Sequence, residues 1–249
     1  MEISLKGKVA VVTGGSRGIG LAIVKAMSSS GAKVVASTRK PTDEIIELSK
    51  TTSVLPVITD AATEEGAKKL VEEATEKYGS IDILVNNIGA LGRRDTGFLE
   101  INDNEWENMI NANLMSVVRT TRAALPVLTK QGGSIVNIST MNTSMPNSSI
   151  IAYSAIKAAV TNLSKNLAEI YGAKGVRVNT VAPGPTKTAM WDDVPGDLDE
   201  LAKDIGITLE RFAEPSEVAN LVVFLASNRA AMITGANYII DGGLVKTIH

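Results

Sequence analysis

The chain has no cysteine, and its single histidine is the terminal residue, His249. The first absence removes disulfides, thiolate catalysis and cysteine-ligated metals, and it suits a reducing cytoplasm, the location expected here. The second removes a Ser-His-Asp triad and a histidine-built zinc centre, so no metal site is expected. An excess of charge of one sign is missing too. Lys plus Arg number 25 against 27 for Asp plus Glu, and no net field recommends nucleic acid or an anionic membrane as partner. The apolar stretch before Gly14-Gly15 is too short for a membrane span and lacks the form of a signal peptide. Acid–base chemistry in this chain therefore falls to Tyr, Lys, Asp or Glu.

What is present is a regular alternation. Short β-branched runs at 8–13, 33–38, 54–58, 81–86, 134–139, 176–181 and 238–240 read as strands. Between them, apolar residues at helical spacing predict helices over about 19–31, 64–78, 104–130, 153–172 and 216–226. Strands apolar on both faces and alternating with helices predict an α/β fold with a doubly wound parallel sheet covered on both sides. No low-complexity linker or repeat interrupts the 249 residues, so a single Rossmann-like domain spanning 1–249 is expected. The stretch from Pro183 to about Glu214 reads as irregular and is too long for an ordinary connection. Its apolar content, including Met190, Trp191, Leu201 and Phe212, predicts a substrate-covering flap over about 186–213.

Two local patterns carry chemistry. Tyr153 and Lys157 lie four residues apart on a predicted helix, which places them on one face, where an ammonium can bias a phenol toward releasing its proton. A phenol titrates near ~10, and lowering that by about three units needs roughly 4 kcal/mol favouring the phenolate. A unit charge ~4 Å away supplies about that much only where the effective dielectric falls to about 20. The second pattern, Thr13-Gly-Gly-Ser-Arg-Gly-Ile-Gly20, joins the first strand to the first helix. Glycines there let backbone approach a pyrophosphate, and the helix N-terminus offers free N–H groups, although the Gly-x-Gly-x-x-Gly spacing is not met. An acid at the end of the second strand would hold a ribose 2′-hydroxyl. Thr38 occupies that position, followed by Arg39, with Arg17 in the glycine turn. Two guanidinium groups and no carboxylate predict NADP(H) over NAD(H).

Taken in order, these segments resemble the short-chain dehydrogenase/reductase family over nearly the whole chain. The carriers are the glycine turn, Asp60, Asn86-Asn87-Ile88-Gly89, Asn113-Leu114, Tyr153-x-x-x-Lys157, and Pro183-Gly184 with Thr188. The resemblance implies a catalytic group of Asn, Ser, Tyr and Lys, carried here by Asn113, Thr140, Tyr153 and Lys157. In most members the orienting hydroxyl is a serine thirteen residues before the tyrosine. That position is Thr140, preceded by Ser139, and Thr140 is preferred, with Ser139 left as a substrate contact and the alternative. Ile88 also departs from the family's usual alanine. The resemblance further implies that the cofactor meets Gly14, Ser16, Arg17, Gly18, Ile19, Gly20, Thr38, Arg39, Asp60, Ala61, Asn87 and Gly89. It implies contacts to Tyr153, Lys157, Pro183 and Gly184 as well. Thr186 and Thr188 would hold the nicotinamide amide and Lys157 the nicotinamide ribose. Asn113 would bend its helix and hold a water leading from Lys157.

The expected substrate wall draws on Met141, Met190 and Trp191, with Leu91, Phe98, Met145 and Ile151 near by, while Arg93 and Arg94 could meet an anionic substrate group. The leading reading is an NADPH-dependent reductase of a ketone or aldehyde, or the reverse alcohol dehydrogenase. The alternatives are a 3-oxoacyl-thioester reductase, toward which Arg119 and Arg122 hint at a carrier-docking face, and a non-catalytic NADP-binding sensor. Family resemblance also implies a homo-oligomer, commonly a tetramer built on the two long helices and the C-terminal strand. Ala159, Val160, Leu163, Leu167 and Ile170 fit that role or packing on the sheet equally well.

Overall fold

The computed structural model describes residues 3–92 and 97–247. Seven strands form one sheet: β1 (Val9–Val12), β2 (Lys33–Thr38), β3 (Val54–Ile58), β4 (Ile83–Asn86), β5 (Gly133–Ile138), β6 (Val176–Pro183) and β7 (Asn237–Ile240). Their order is β3-β2-β1-β4-β5-β6-β7, and every pairing is parallel. Alternate residues feed the two faces, as strand geometry requires. Ala10, Val12, Val34, Ala36 and Ile138 pack under α1 (Gly18–Ser29) and α8 (Pro215–Ala226). Val11, Val35, Leu84 and Ile135 pack under α3 (Glu64–Tyr78), α5 (Ser116–Gln131) and α6 (Ile151–Gly172). The two cores give three layers, the expected doubly wound α/β domain.

Three details depart from the periodicity. Helix α2 (Asp43–Thr51) follows β2, where no helix was expected. It buries only Ile45 fully, so its apolar stripe is too thin to register, yet Thr42 caps it and Asp43, Glu44 and Lys50 suit its dipole. The long helix expected over 104–130 is divided into α4 (Asp103–Ile110), a π-helical turn at Asn111–Met115, and α5. The segment from 183 to 214 is not irregular: it holds a 3₁₀ turn at Ala189–Trp191 and helix α7 (Leu198–Asp204). It also has a core of its own, in which Ala202, Ile207 and Phe212 pack with Met141 and Leu244, and Trp191 stands edge-on to Phe212 at 4.7 Å. Seven residues of α7 carry too few apolar positions to reveal a period, and tertiary packing holds it instead.

Among the described residues no helix is long and apolar enough to cross a membrane. No group of three or more His, Cys, Asp or Glu could hold a metal among them either.

Candidate active site at the C-terminal edge of the sheet

The strand order reverses between β1 and β4, and the crevice beyond the carboxyl ends at such a switch point is where open α/β sheets bind ligands. The glycine turn occupies it. Gly14 has φ 66° and Gly18 φ 52°, a region open to glycine. A Cβ on Gly20 would collide with the Gly14 carbonyl oxygen and lie 2.5 Å from Asn87 Nδ2. Asn87 is the clasp of this turn. Its Nδ2 donates to the carbonyls of Thr13 (3.1 Å) and Gly14 (3.2 Å), while the N–H groups of Asn87 and Ile88 donate to Thr13 Oγ1. Ser37 Oγ accepts from the Gly14 N–H, and Thr42 donates to the Ser16 carbonyl. Ile88, the departure from alanine, packs into the core under α3 and α5 and would meet a Gly14 Cβ at 3.4 Å.

Helix α1 begins at Gly18 with no side chain capping it and no acid in its first turn, whereas Thr42, Thr63 and Asn102 cap α2, α3 and α4. Its first N–H groups remain available to an anion. Arg17, at the N-cap position, and Arg39 are both exposed, and neither guanidinium makes a hydrogen bond or ion pair among the described residues. Thr38 does not present a free hydroxyl: it donates to the Lys40 carbonyl at 2.7 Å and so shapes the bend that carries Arg39. Asp60 Oδ1 accepts from Ala62 N–H at 3.0 Å, and the Ala61 side chain is buried, which leaves only backbone at that position for a nucleotide.

Helix α6 brings Tyr153 and Lys157 to the same edge. Lys157 is 2% exposed, and its Nζ donates to the Ile138 carbonyl at 2.8 Å. It also stands 5.8 Å from the centre of the Tyr153 ring. No carboxylate pairs with it among the described residues, and burial lowers its pKa to about 8. Burial raises the Tyr153 phenol to about 12, the reverse of the lowering that the spacing suggested. The ammonium is turned to a strand carbonyl, and desolvation outweighs its pull on the phenol. In the free protein Tyr153 is therefore a neutral hydrogen-bond donor, the form that can give a proton.

The two hydroxyls at the end of β5 have different partners. Ser139 Oγ lies 2.8 Å from Thr161 Oγ1 and donates to the Lys157 carbonyl at 3.2 Å, so it is tied to α6. Thr140 Oγ1 receives only the Asn142 N–H, at 3.4 Å. Asn113, in the π-helical turn, is fully buried. Its Oδ1 accepts from Ala90 N–H, and its Nδ2 donates to the carbonyls of Ala90 and Met109. Gly89 sits between, since a Cβ there would lie 3.3 Å from Asn113 Oδ1 and 3.4 Å from Lys157 Nζ. The Ile138 carbonyl had no signature in the sequence, because any residue there offers the same group.

Past β6, the Gly184 N–H donates to the Ile240 carbonyl, and a Cβ on Gly184 would lie 2.7 Å from that of Asp241. Thr186 is buried with its hydroxyl on the Gly184 carbonyl, and Thr188 lies 3.4 Å from the space a Gly18 Cβ would fill. Pro183, Thr186 and Thr188 thus lead from the sheet edge back to the glycine turn. Met190 is 52% exposed, while Met141 is buried with the core of the 183–214 segment. Arg93 and Arg94 lie outside the described residues. Arg119 is not free to face a partner, for it donates to the Ala62 carbonyl and to Asn111 Oδ1.

A parallel sheet with a glycine turn at its switch point and a Tyr–Lys helix at the same edge defines a dinucleotide-type oxidoreductase scaffold. Residues 14–245 match the family model described as enoyl-(acyl carrier protein) reductase. The chain is 36% identical over 246 residues to a 3-oxoacyl-acyl-carrier-protein reductase of Thermotoga maritima, covering 97% of this chain and 99% of the relative. It is 35% identical to a 3α-hydroxysteroid dehydrogenase of Mediterraneibacter gnavus, covering 97% and 98%. The solved structure of L-sorbose reductase from Gluconobacter frateurii, complexed with NADPH and L-sorbose, superposes with a TM-score of 0.92 at 35% identity over 100% of both chains. The chain belongs to the short-chain dehydrogenase/reductase family, oxidoreductases acting on CH–OH and C=O groups.

Proposed function

We propose that the protein reduces a ketone or aldehyde to an alcohol with NADPH, or runs the reverse oxidation, with Tyr153 as the proton donor. The observation that carries this reading is the neutral Tyr153 phenol beside the buried Lys157 ammonium, at the same edge of the sheet as the glycine turn. The uncapped start of α1, the glycines that no Cβ can replace and the unpaired Arg17 and Arg39 fit a phosphorylated dinucleotide. Gly14, Ser16, Gly18, Ile19 and Gly20 would hold its pyrophosphate, with Asp60, Ala61, Asn87 and Gly89 along the adenosine side. Pro183, Gly184, Thr186 and Thr188 would lie along the nicotinamide. When bound, this group supplies the hydride.

In this assignment Tyr153 gives its proton to the carbonyl oxygen, and Thr140, whose hydroxyl is the less committed of the two, orients that oxygen. Lys157 holds positive charge beside the phenol. Asn113 acts through backbone: it fixes Ala90 and keeps Gly89 against Lys157. Residues 186–213 form the cover, with Met190 and Trp191 toward substrate. A 3-oxoacyl thioester is the second reading, favoured by the name of the Thermotoga relative. Assembly belongs to the same proposal. Leu163 and Leu167 join Val118, Leu125 and Pro126 along a groove of about 410 Å³ between α5 and α6 that a second copy would cover. Val160 instead faces the core, and Ile170 is exposed. A cytoplasmic location completes the reading.

A nicotinamide-absorbance assay over a panel of ketones and 3-oxoacyl thioesters, with Tyr153→Phe as control, tests it. Turnover with NADPH that disappears in the variant is expected. Tight NADPH binding without turnover of any substrate would instead indicate a sensor.

A further inference from the structure

The carboxylate of Asp241 is engaged by the backbone that follows it. Asp241 comes directly after β7, and its Oδ1 accepts from the Gly243 N–H at 2.9 Å while its Oδ2 accepts from the Val245 N–H at 2.7 Å. Two N–H groups on one carboxylate, with Gly242 at φ 66° and Gly243 at φ 82°, wrap residues 241–245 into a turn. The glycines are needed for a second reason besides φ. A Cβ on Gly242 would lie 2.7 Å from Ile207 Cγ2, and one on Gly243 would lie 2.9 Å from Thr208 Oγ1. The turn is pressed against another segment, and that segment is part of the proposed cover.

Three hydrogen bonds join the two. The Leu209 N–H donates to the Gly242 carbonyl at 3.0 Å, Thr208 Oγ1 donates to the Gly243 carbonyl at 2.9 Å, and Lys246 Nζ donates to Thr208 Oγ1 at 2.7 Å. The same turn delivers Leu244, 6% exposed, into the small core with Met141, Ile207 and Phe212. That core reaches the proposed substrate wall on two sides. Phe212 carries Trp191 edge-on at 4.7 Å, and Met141 follows Thr140 directly in the chain.

We propose that Asp241 is a positioning residue for substrate: its carboxylate holds the turn that seats the cover, and through Phe212 and Met141 that seat fixes where Trp191 and Thr140 stand. The inference rests on the proposed reduction under a cover formed by residues 186–213, and it deepens that reading. A site of this kind depends on the groups that support its walls as much as on the walls themselves. Asp241 touches neither substrate nor proton. Nor does the cofactor side need its carboxylate, for what borders Gly184 is the Asp241 Cβ, which alanine retains. Loss of the carboxylate therefore loosens the cover and leaves the nucleotide cradle in place.

Asp241→Ala and Thr208→Val are compared with the wild type in two measurements. Steady-state kinetics with NADPH uses the panel compound of highest kcat/KM. Limited trypsinolysis follows cleavage after Lys203 and Arg211, within the cover, against cleavage after Lys50 in α2. In Asp241→Ala the substrate KM is expected to rise about fivefold or more, with kcat within about threefold and the Kd for NADPH within about twofold. The turnover number is spared because Lys157 is held by the Ile138 carbonyl, not by the turn. Cleavage in the cover should quicken about fivefold or more while cleavage after Lys50 keeps its rate, the mark of local opening. Thr208→Val removes the hydroxyl that meets Gly243 and Lys246 without entering the core, so it moves KM and cover cleavage the same way by about twofold or more. It carries the test should Asp241→Ala fail to fold. An unchanged KM in both variants overturns the inference and leaves the reductase reading intact, whether or not the cover is cut faster. A raised KM without faster cleavage of the cover overturns it too, as does equal quickening at Lys50, which marks general loosening. A wild type that binds NADPH yet turns over no ketone or thioester refutes the reductase reading, and the substrate role of Asp241 falls with it.

Discussion

Replacing Lys157 with Met should abolish turnover and yet make the protein more stable at neutral pH. The ammonium is buried, held by one backbone carbonyl and unpaired with any carboxylate among the described residues. Its pKa falls from 10.5 to about 8, which at about 1.4 kcal/mol per pH unit corresponds to about 3 kcal/mol of unfavourable burial at pH 7. Methionine fills a similar volume without charge, but it leaves the Ile138 carbonyl without this donor, a loss of about 1–2 kcal/mol. The net gain is about 1–2 kcal/mol, or a rise in Tm of about 2–8 °C for a chain of this length. The sign with pH is diagnostic. Between about 8 and 10.5 the unfolded wild type binds more protons than the folded one, so wild-type stability rises with pH across that window. Tyr153 works the other way, but its contribution is lost only from 10 to about 12, beyond the two pH values compared. Melting curves of both proteins at pH 7 and pH 10 provide the measurement. The variant's advantage should be clear at the lower pH and lost or reversed at the higher. A variant that is less stable at pH 7, or whose advantage does not change with pH, would refute the argument.

Thr140→Ala should lower kcat by about 10²-fold or more while leaving Tm nearly unchanged, within the range of acid–base and orienting groups. Ser139→Ala should chiefly lower stability, by about 1 kcal/mol, because it cuts the tie to α6; retained turnover in Thr140→Ala alongside its loss in Ser139→Ala would reverse the assignment. Gly20→Ala drives a Cβ into the Gly14 carbonyl and Asn87, so it should weaken NADPH binding at least tenfold and destabilise by about 2 kcal/mol or more; titration by nucleotide fluorescence and urea denaturation read the two effects. Arg39→Asp should shift the ratio of kcat/KM for NADPH over NADH toward NADH by at least tenfold, since a carboxylate repels a 2′-phosphate and accepts from a ribose hydroxyl. An unchanged ratio would remove Arg39 from cofactor choice.

The sheet could be read from the sequence because each strand is a β-branched run with nothing polar to confuse its period. Strands β2 and β3 fall on their expected residues for that reason. What escaped depends on contacts between distant residues. Helix α2 is set by its cap and end charges more than by an apolar face. Helix α7 owes its form to packing with Met141 and Leu244, far away in the chain. At the site, spacing placed Tyr153 and Lys157 on one helix face but could not say which way the ammonium turns. The Ile138 carbonyl decides that, while burial sets the direction of both pKa changes. The choice between Ser139 and Thr140 is similar. Both strand faces are covered, so alternation alone was mute, and the discriminating partner is Thr161 on a different element.

The excursion from Thr186 to Ala213 leaves and rejoins the body of the protein at almost one point. Lys187 N–H donates to the Ala213 carbonyl, Ala213 N–H donates to the Pro185 carbonyl, and Thr186 and Ala213 form a lone parallel bridge. Beyond that neck the loop is docked along one side only, where its core takes in Met141, Ile239 and Leu244 and the Leu209 N–H donates to the Gly242 carbonyl. Doubling its length would cost only about 0.6 kcal/mol in closure entropy, whereas changes at Ala202, Ile207 or Phe212 would reach Met141 and Ile239 of β7 through the shared core. The neck makes the 187–213 stretch an exchangeable part wherever the residues that meet Met141 and Leu244 are kept. Grafting a relative's excursion between the same two anchors is a route to new substrates that leaves the proton-transfer residues untouched.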